Sequence, residues 1–313
     1  MKRVAFLFPG QGSQAVGMGK DFYDQYADVK ELFHQADQLL GKELTKLMFE
    51  GPKEELTETE NAQPALLLSG IAVGKLLQKE NIQPVMTAGH SLGEYSALVA
   101  SGAMSFEEAL PLVATRGRLM EEAFPKGRGS MAAVLGMSQA EIEQTLNQLD
   151  DDEVVDLANL NCPGQIVISG SKEGIDRAAE RLKENGAKRV MPLNVSGPFH
   201  SRLMRPANEQ FTKELDGVSF RNAEIPVYAN VTAEPVTDKN NVKDLLIRQL
   251  YSPVRFEESI RNMLNEDIDA FVELGTGKVL SGLVRKIDRK AKTFVVQDPD
   301  SFNTFLSWYK EDS

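Results

Sequence analysis

The pentapeptide Gly89-His90-Ser91-Leu92-Gly93 constrains this chain more than any other stretch. A short apolar strand pattern at 85–88 leads into it, and a small-residue helical pattern to Ala100 follows. The five residues must therefore turn a buried strand sharply into a helix. Glycines two positions either side of the serine permit this, because strand and helix then approach without a Cβ between them. The turn lifts the Ser91 hydroxyl clear of a sheet and aims the Leu92 N–H where an oxyanion would develop. Ser91 is thus the candidate nucleophile. An ordinary tight turn is the alternative reading, since glycine and serine are common in turns.

The remaining patterns describe an α/β chain. Val4 to Phe8 is a continuous apolar run closed by Pro9-Gly10, as suits a strand buried on both faces of a parallel sheet. Helical periodicity covers 28–40 and 64–79. Ser105, with Glu108 three residues on, reads as a capping box opening a helix that runs to about Phe124. From about 129 to 195 the rhythm changes: strand 131–135, helix 138–149, strands 154–160 and 165–169 about the turn Cys162-Pro163-Gly164, helix 172–185, strand 189–195. That order is the ferredoxin-like unit, here expected as a small subdomain (128–195) inserted into a larger α/β body (1–127 and 196–313). The body resumes with helix 202–215, strand 225–229, helices 242–250 and 256–265, strand 270–274, helix 277–288, strand 294–297 and helix 301–309.

Composition narrows the functional classes. The 313 residues, 42% hydrophobic, suffice for one large core or two modest ones. The longest nearly apolar stretch, 65–74, is half the roughly 20 residues that span a bilayer. Lys2-Arg3 precedes only five apolar residues before Pro9, too few for a signal-peptide core. Thirty-five basic against 46 acidic side chains leave a net charge of −11, which argues against nucleic-acid binding. The single cysteine, Cys162, excludes an intrachain disulfide and a Cys-based zinc cluster, and suits a reducing compartment. The expectation is a cytoplasmic, acidic protein with no metal, no nucleic-acid partner and no membrane partner.

A serine nucleophile needs a base at neutral pH, and the chain has three histidines. His34 lies in a helical pattern among charged residues, and His90 adjoins Ser91, where neighbouring side chains diverge. His200, in the loop Gly197-Pro198-Phe199-His200 after a strand, is the candidate base; a loop histidine bonded to backbone is the alternative. No acid occupies the usual slot between serine and histidine. The acidic run 150–153 reads as a solvated turn, so a dyad with a neutral acceptor behind His200 is expected. Arg116 falls on the inward stripe Phe106, Ala109, Leu110, Val113, Gly117, Met120, Ala123. A buried guanidinium requires an anion. Spacing alone leaves an internal Arg–Glu bridge or a snorkelling side chain as open as a substrate carboxylate, and a catalytic Ser91 favours the substrate.

Two glycine-rich loops imitate phosphate-binding motifs. Gly10 to Ala15 fits glycine-x-glycine-x-x-alanine after a strand, but the second strand with its acidic end is missing. The loop reads better as a hairpin of backbone N–H groups completing an oxyanion hole. At Gly275-Thr276-Gly277-Lys278, Val272 and Val279 stand where a phosphate loop needs glycine and a hydroxyl residue, so that match fails.

Six stretches together resemble the bacterial malonyl-CoA:acyl-carrier-protein transacylases of type II fatty acid synthesis. They are Phe8 to Gln14, Gly89 to Tyr95, Arg116 to Met120, Asn159 to Val167, Gly197 to His200 and Gln249 to Phe256. The resemblance implies a hydrolase-like parallel-sheet body carrying the ferredoxin-like α+β subdomain, with the site between them. It implies Ser91 as the acylated nucleophile, His200 as its base, the N–H groups of Gln11 and Leu92 around the oxyanion, and Arg116 on the malonyl carboxylate. Gln249 matches the residue whose backbone carbonyl orients the histidine, accounting for the missing acid. Gln63, Asn159 and Asn161 match positions near the acyl and pantetheine path, and Phe199 matches a malonyl-selecting pattern. A ping-pong exchange follows, with the CoA thioester as substrate, no permanently bound cofactor, acyl carrier protein as partner, and a monomer. That carrier is itself acidic, so docking would need a local basic patch. Arg285, Lys286 and Arg289, with Lys290 and Lys292, form the densest one, unless it is simply a solvated helix face. The competing functions are a serine esterase or thioesterase on the same turn, and a binding module whose glycine loops hold a nucleotide.

Overall fold

The computed structural model describes residues 2–150 and 153–311. Six strands form the main sheet: β1 (Val4–Phe8), β2 (Met86–Gly89), β7 (Val227–Tyr228), β8 (Pro235–Val236), β9 (Ala270–Leu274) and β10 (Thr293–Val296), in the order β10-β9-β1-β2-β7-β8. All pairs are parallel except the β7–β8 hairpin. Every residue of β1 is buried, which is why the strand reads as an unbroken apolar run with no alternation. Its register, Phe8 opposite Gly89, brings the loop after β1 and the turn after β2 to the same edge of the sheet. Ligands of open parallel sheets bind at such carboxyl edges.

The intervening chain forms a second, antiparallel sheet from β3 (Gly129–Leu135), β4 (Val155–Cys162), β5 (Gln165–Ser171) and β6 (Arg189–Pro192), in the order β4-β5-β3-β6. Its two faces divide by the two-residue period of a strand. Ala132, Val134 and Ile168 pack with Ile142, Ile175 and Leu182 of helices Gln139–Leu146 and Lys172–Glu184. Met131, Ala133 and Val167 face the other way, into the main core. β4 is also tied to the body by paired backbone bonds, Leu160 N–H to Val254 O at 2.9 Å and Val254 N–H to Ala158 O at 2.8 Å.

Several elements differ from the sequence reading. The helix expected at 64–79 is Thr59–Lys79, with Pro64 inside it; burial of Asn61, Ala62 and Gln63 extends the helix back past the proline. The expected helix 202–215 is a 3₁₀ segment, Arg202–Ala207, followed by Asn208–Asp216, since Pro206 offers no N–H to an α-helical ladder. β4 runs on to Cys162, leaving Pro163-Gly164 as the turn with Gly164 at φ 71°, and β6 stops at Pro192. Helices Lys20–Gln25, Leu44–Glu50 and Lys53–Thr57 and strand β8 were not expected. Ser105 caps its helix as read, while the Glu108 carboxylate takes the Ser105 hydroxyl at 2.9 Å and the Ser219 N–H at 2.7 Å. Of the acidic run 150–153, Asp151 and Asp152 lie outside the described residues.

The turn after β2 leaves no room for side chains at its glycines. A methyl on Gly89 would fall on the Gly93 backbone, and one on Gly93 on the Phe8 carbonyl oxygen. Gly93→Ala is therefore expected to lower unfolding stability by about 3 kcal/mol or more. Gly282→Ala, on the open face of helix Val279–Ile287 with nothing within 4 Å, should raise it by about 0.5–1 kcal/mol. Urea unfolding of both variants checks the pair, and equal effects would contradict this packing.

Candidate active site

Ser91 has φ 51°, in the left-handed region that an L-residue adopts only under constraint. Its N–H donates to Asn230 Oδ1 at 2.8 Å, and the Gly93 N–H closes the turn on the His90 carbonyl at 2.9 Å. The hydroxyl projects into a cleft of about 380 Å³ lined also by Gln11, Gln63, Leu92, Met120, Met131, Asn159, Phe199 and His200.

His200, also left-handed at φ 59° and 4% exposed, reaches Ser91 Oγ with Nε2 at 2.7 Å. Its Nδ1 lies 2.9 Å from the Gln249 carbonyl oxygen. A carbonyl only accepts, so Nδ1 carries the proton and Nε2 is left to accept from the serine hydroxyl. Burial, helped by the Arg116 guanidinium, pushes the imidazole from its ordinary 6.5 down to about 3. It is therefore neutral, with a free lone pair, throughout the neutral range.

Arg116 is fully buried (0% exposed). Nη1 donates to Gln63 Oε1 at 2.8 Å, and Nη2 donates to Ser91 Oγ at 3.1 Å and Gln249 Oε1 at 3.0 Å. The guanidinium carbon sits 5.2 Å from the Tyr95 ring centroid. Nε has no hydrogen-bond partner, and Arg116 forms no ion pair among the described residues. The internal Arg–Glu bridge is thus not formed. The guanidinium's hydrogen-bond partners are all neutral; the nearest acid acting on it, Glu94, is reached only through the Gln249 side chain, so no carboxylate in contact offsets its desolvation, and it stands beside the serine oxygen. Burial also lowers its pKa from 12.5.

Leu92 and Gln11 line the cleft with Ser91, and among the described residues their backbone N–H groups reach no backbone carbonyl. The Gln11 side chain is held by Thr59 Oγ1 at 3.1 Å. Asn159 lines the cleft, but Asn161 does not; its Oδ1 meets Nε2 of His90, which does line it, at 2.8 Å. His34 is exposed and meets Tyr23, its Nε2 3.0 Å from the hydroxyl. Arg285 donates to Thr293 Oγ1 at 2.8 Å and Lys286 to Gln165 Oε1 at 3.0 Å; with Arg289 they lie outside the cleft. Sequence reasoning missed Asn230 and Glu94, which underlie the turn. Glu94 is 2% exposed, and burial raises its carboxyl to about 7. A charged residue directly after the last glycine of the turn, within a small-residue helix, was the available signal. Among the described residues no His, Cys, Asp or Glu group could hold a metal ion, and no helix is long and apolar enough to cross a membrane.

The acyl transferase domain family model matches residues 5–296. The malonyl CoA-acyl carrier protein transacylase of Bacillus subtilis (strain 168) is 52% identical over 314 residues, covering 100% of this chain and 99% of that one. The crystal structure of an acyl carrier protein S-malonyltransferase from Vibrio cholerae superposes with a TM-score of 0.95 at 44% identity, covering 97% of this chain and 99% of that one. A malonyl-transacylase solved in complex with its type II PKS acyl-carrier protein gives 0.95 at 38% identity, with the same coverage. The chain belongs to the acyl transferase domain family and, within it, to the malonyl CoA-acyl carrier protein transacylases.

Proposed function

We propose that this chain transfers the malonyl group of malonyl-CoA to the phosphopantetheine thiol of acyl carrier protein through a malonyl-serine intermediate, supplying fatty acid synthesis. The observation that carries the reading is Arg116, a buried guanidinium without a carboxylate whose Nη2 touches the serine oxygen. Its planar fork suits the free carboxylate of a malonyl group and has no use for an uncharged acyl chain.

Ser91 Oγ attacks the thioester carbonyl as His200 Nε2 takes its proton. The oxyanion forms between the N–H groups of Leu92 and Gln11. As the carbon–sulfur bond breaks, His200 returns the proton to the departing CoA thiolate, leaving the malonyl ester on Ser91. The carrier's thiol then gives its proton to His200 and attacks that ester; the carbon–oxygen bond breaks and Ser91 recovers the proton. The Gln249 carbonyl keeps the His200 tautomer through both halves, the role a carboxylate fills in a triad. Gln63 and Phe199 bound the acyl end, Asn159 borders the thioester path, and Asn161 acts through His90. The reaction needs no permanently bound cofactor. We place the enzyme in the cytoplasm as a monomer, with residues 128–195 as a ferredoxin-like subdomain closing the cleft over the body formed by 1–127 and 196–313.

Arg116→Ala is expected to reduce malonyl transfer about 100-fold, the worth of two or so charge-assisted hydrogen bonds, while sparing or improving acetyl transfer. The same change removes a positive charge from beside His200. The acid limb of kcat/KM, below pH 6.5 in the wild type, should therefore move up when acetyl-CoA is the donor. Equal losses for both acyl groups, or an unmoved limb, would contradict these roles.

We place carrier docking at Arg285, Lys286 and Arg289. A chain of net charge −11 repels an acidic carrier at long range, and the Arg285 and Lys286 side chains meet neutral partners, Thr293 and Gln165, with no ion pair among the described residues. Reversing both with Arg285→Glu and Lys286→Glu should raise the carrier KM severalfold and leave acylation by malonyl-CoA unchanged. An unaltered carrier KM would rule the surface out.

A further inference from the structure

Glu94 follows the nucleophile by three residues and is buried beneath it. One carboxyl oxygen, Oε2, accepts both the Asn230 backbone N–H at 3.0 Å and Gln249 Nε2 at 2.8 Å. Each partner holds a group of the dyad. Asn230 takes the Ser91 N–H on Oδ1 and donates from Nδ2 to the Gly89 carbonyl at 2.6 Å. Gln249 offers its backbone carbonyl to His200 Nδ1 and its Oε1 to Arg116, while Nε2 also reaches the Ser91 carbonyl at 3.0 Å. We propose that Glu94 is a positioning residue that locks the turn bearing Ser91 to the segment supporting His200 and Arg116, setting all three before substrate arrives. The proposal rests on the acyl-transfer reading.

The chemistry of the acceptor gives Glu94 this selectivity. The Gln249 side-chain amide could stand either way round, but the guanidinium of Arg116 only donates and so demands Oε1. Glu94 Oε2 accepts, and so demands Nε2 at the opposite end. Together they leave the amide one orientation. Either protonation state of Glu94 retains an acceptor oxygen for this purpose. A glutamine in its place must set its one carbonyl oxygen at this point, since the Asn230 N–H demands an acceptor there too, but as a weaker, uncharged acceptor.

The test compares Glu94→Ala and Glu94→Gln in the full chain. Glu94→Ala should lower kcat about 100-fold, the cost of misplaced reacting groups. The KM for malonyl-CoA should stay within about threefold, and malonyl and acetyl transfer should fall in the same proportion. Modification of Ser91 by a serine-directed sulfonyl fluoride should slow in parallel, and Glu94→Gln should lie between wild type and alanine. Combining Glu94→Gln with Asn230→Ala should cost less than the product of the single losses, since the two act through one network. If the alanine variant fails to fold, the isosteric Glu94→Gln with a wild-type Tm carries the test. Near-wild-type kcat, a rise in KM alone, loss of malonyl with acetyl spared, or fully multiplicative losses in the double variant would each overturn the proposal. If the wild type reacts with the sulfonyl fluoride yet transfers no malonyl, the functional reading fails, and the modification rates still decide the role of Glu94.

Discussion

Ser91 occupies a backbone conformation that costs an L-residue about 1–3 kcal/mol, and the nearby structure is arranged to hold it there. The Gly93 backbone packs against the Phe8 carbonyl so closely that no side chain fits. Asn230 grips the turn at the Ser91 N–H and the Gly89 carbonyl. These contacts join β1, β2 and the segment after β7, neighbours in the parallel sheet. The strain therefore rests on strands buried along their whole length, and the same sheet edge supplies the loop bearing Gln11.

The electrostatics of the cleft turn on Arg116. A cation with no carboxylate in hydrogen-bond contact, Glu94 being held one residue away through Gln249, sits beside a neutral imidazole, and its field contributes to keeping that imidazole neutral. In the proposed reaction the substrate's carboxylate supplies the missing charge. It would offset the buried guanidinium and, by weakening the field on His200, increase the basicity of the base when the acyl group is in place. Recognition of malonyl and activation of the nucleophile then share one residue.

The parts legible in the sequence were those whose signal is local or periodic. The strand–turn–helix around Ser91 announces itself through its glycines, and the inward place of Arg116 follows from the 3.6-residue period of a long helix. His200 was left by elimination among three histidines. Gln249 came only through family resemblance, because its role depends on a backbone carbonyl, which every residue has. Asn230 and Glu94 act through contacts between elements far apart in the chain, and no spacing rule links 94 to 230 and 249. The helices at 20–25, 44–50 and 53–57 are one or two turns long, too short for a periodic pattern to emerge. Strand β8, two residues long, is equally silent, whereas β7 falls inside the strand expected at 225–229.

The central claim is that Ser91 carries the malonyl group between its two thiols. Intact-protein mass spectrometry after brief exposure to malonyl-CoA tests it most directly, with Ser91→Ala alongside and acyl carrier protein added afterwards. A malonyl adduct on the wild type alone, discharged on addition of the carrier with appearance of malonyl-carrier, is the predicted result. Free malonate without an adduct, or an adduct that survives in Ser91→Ala, would contradict it.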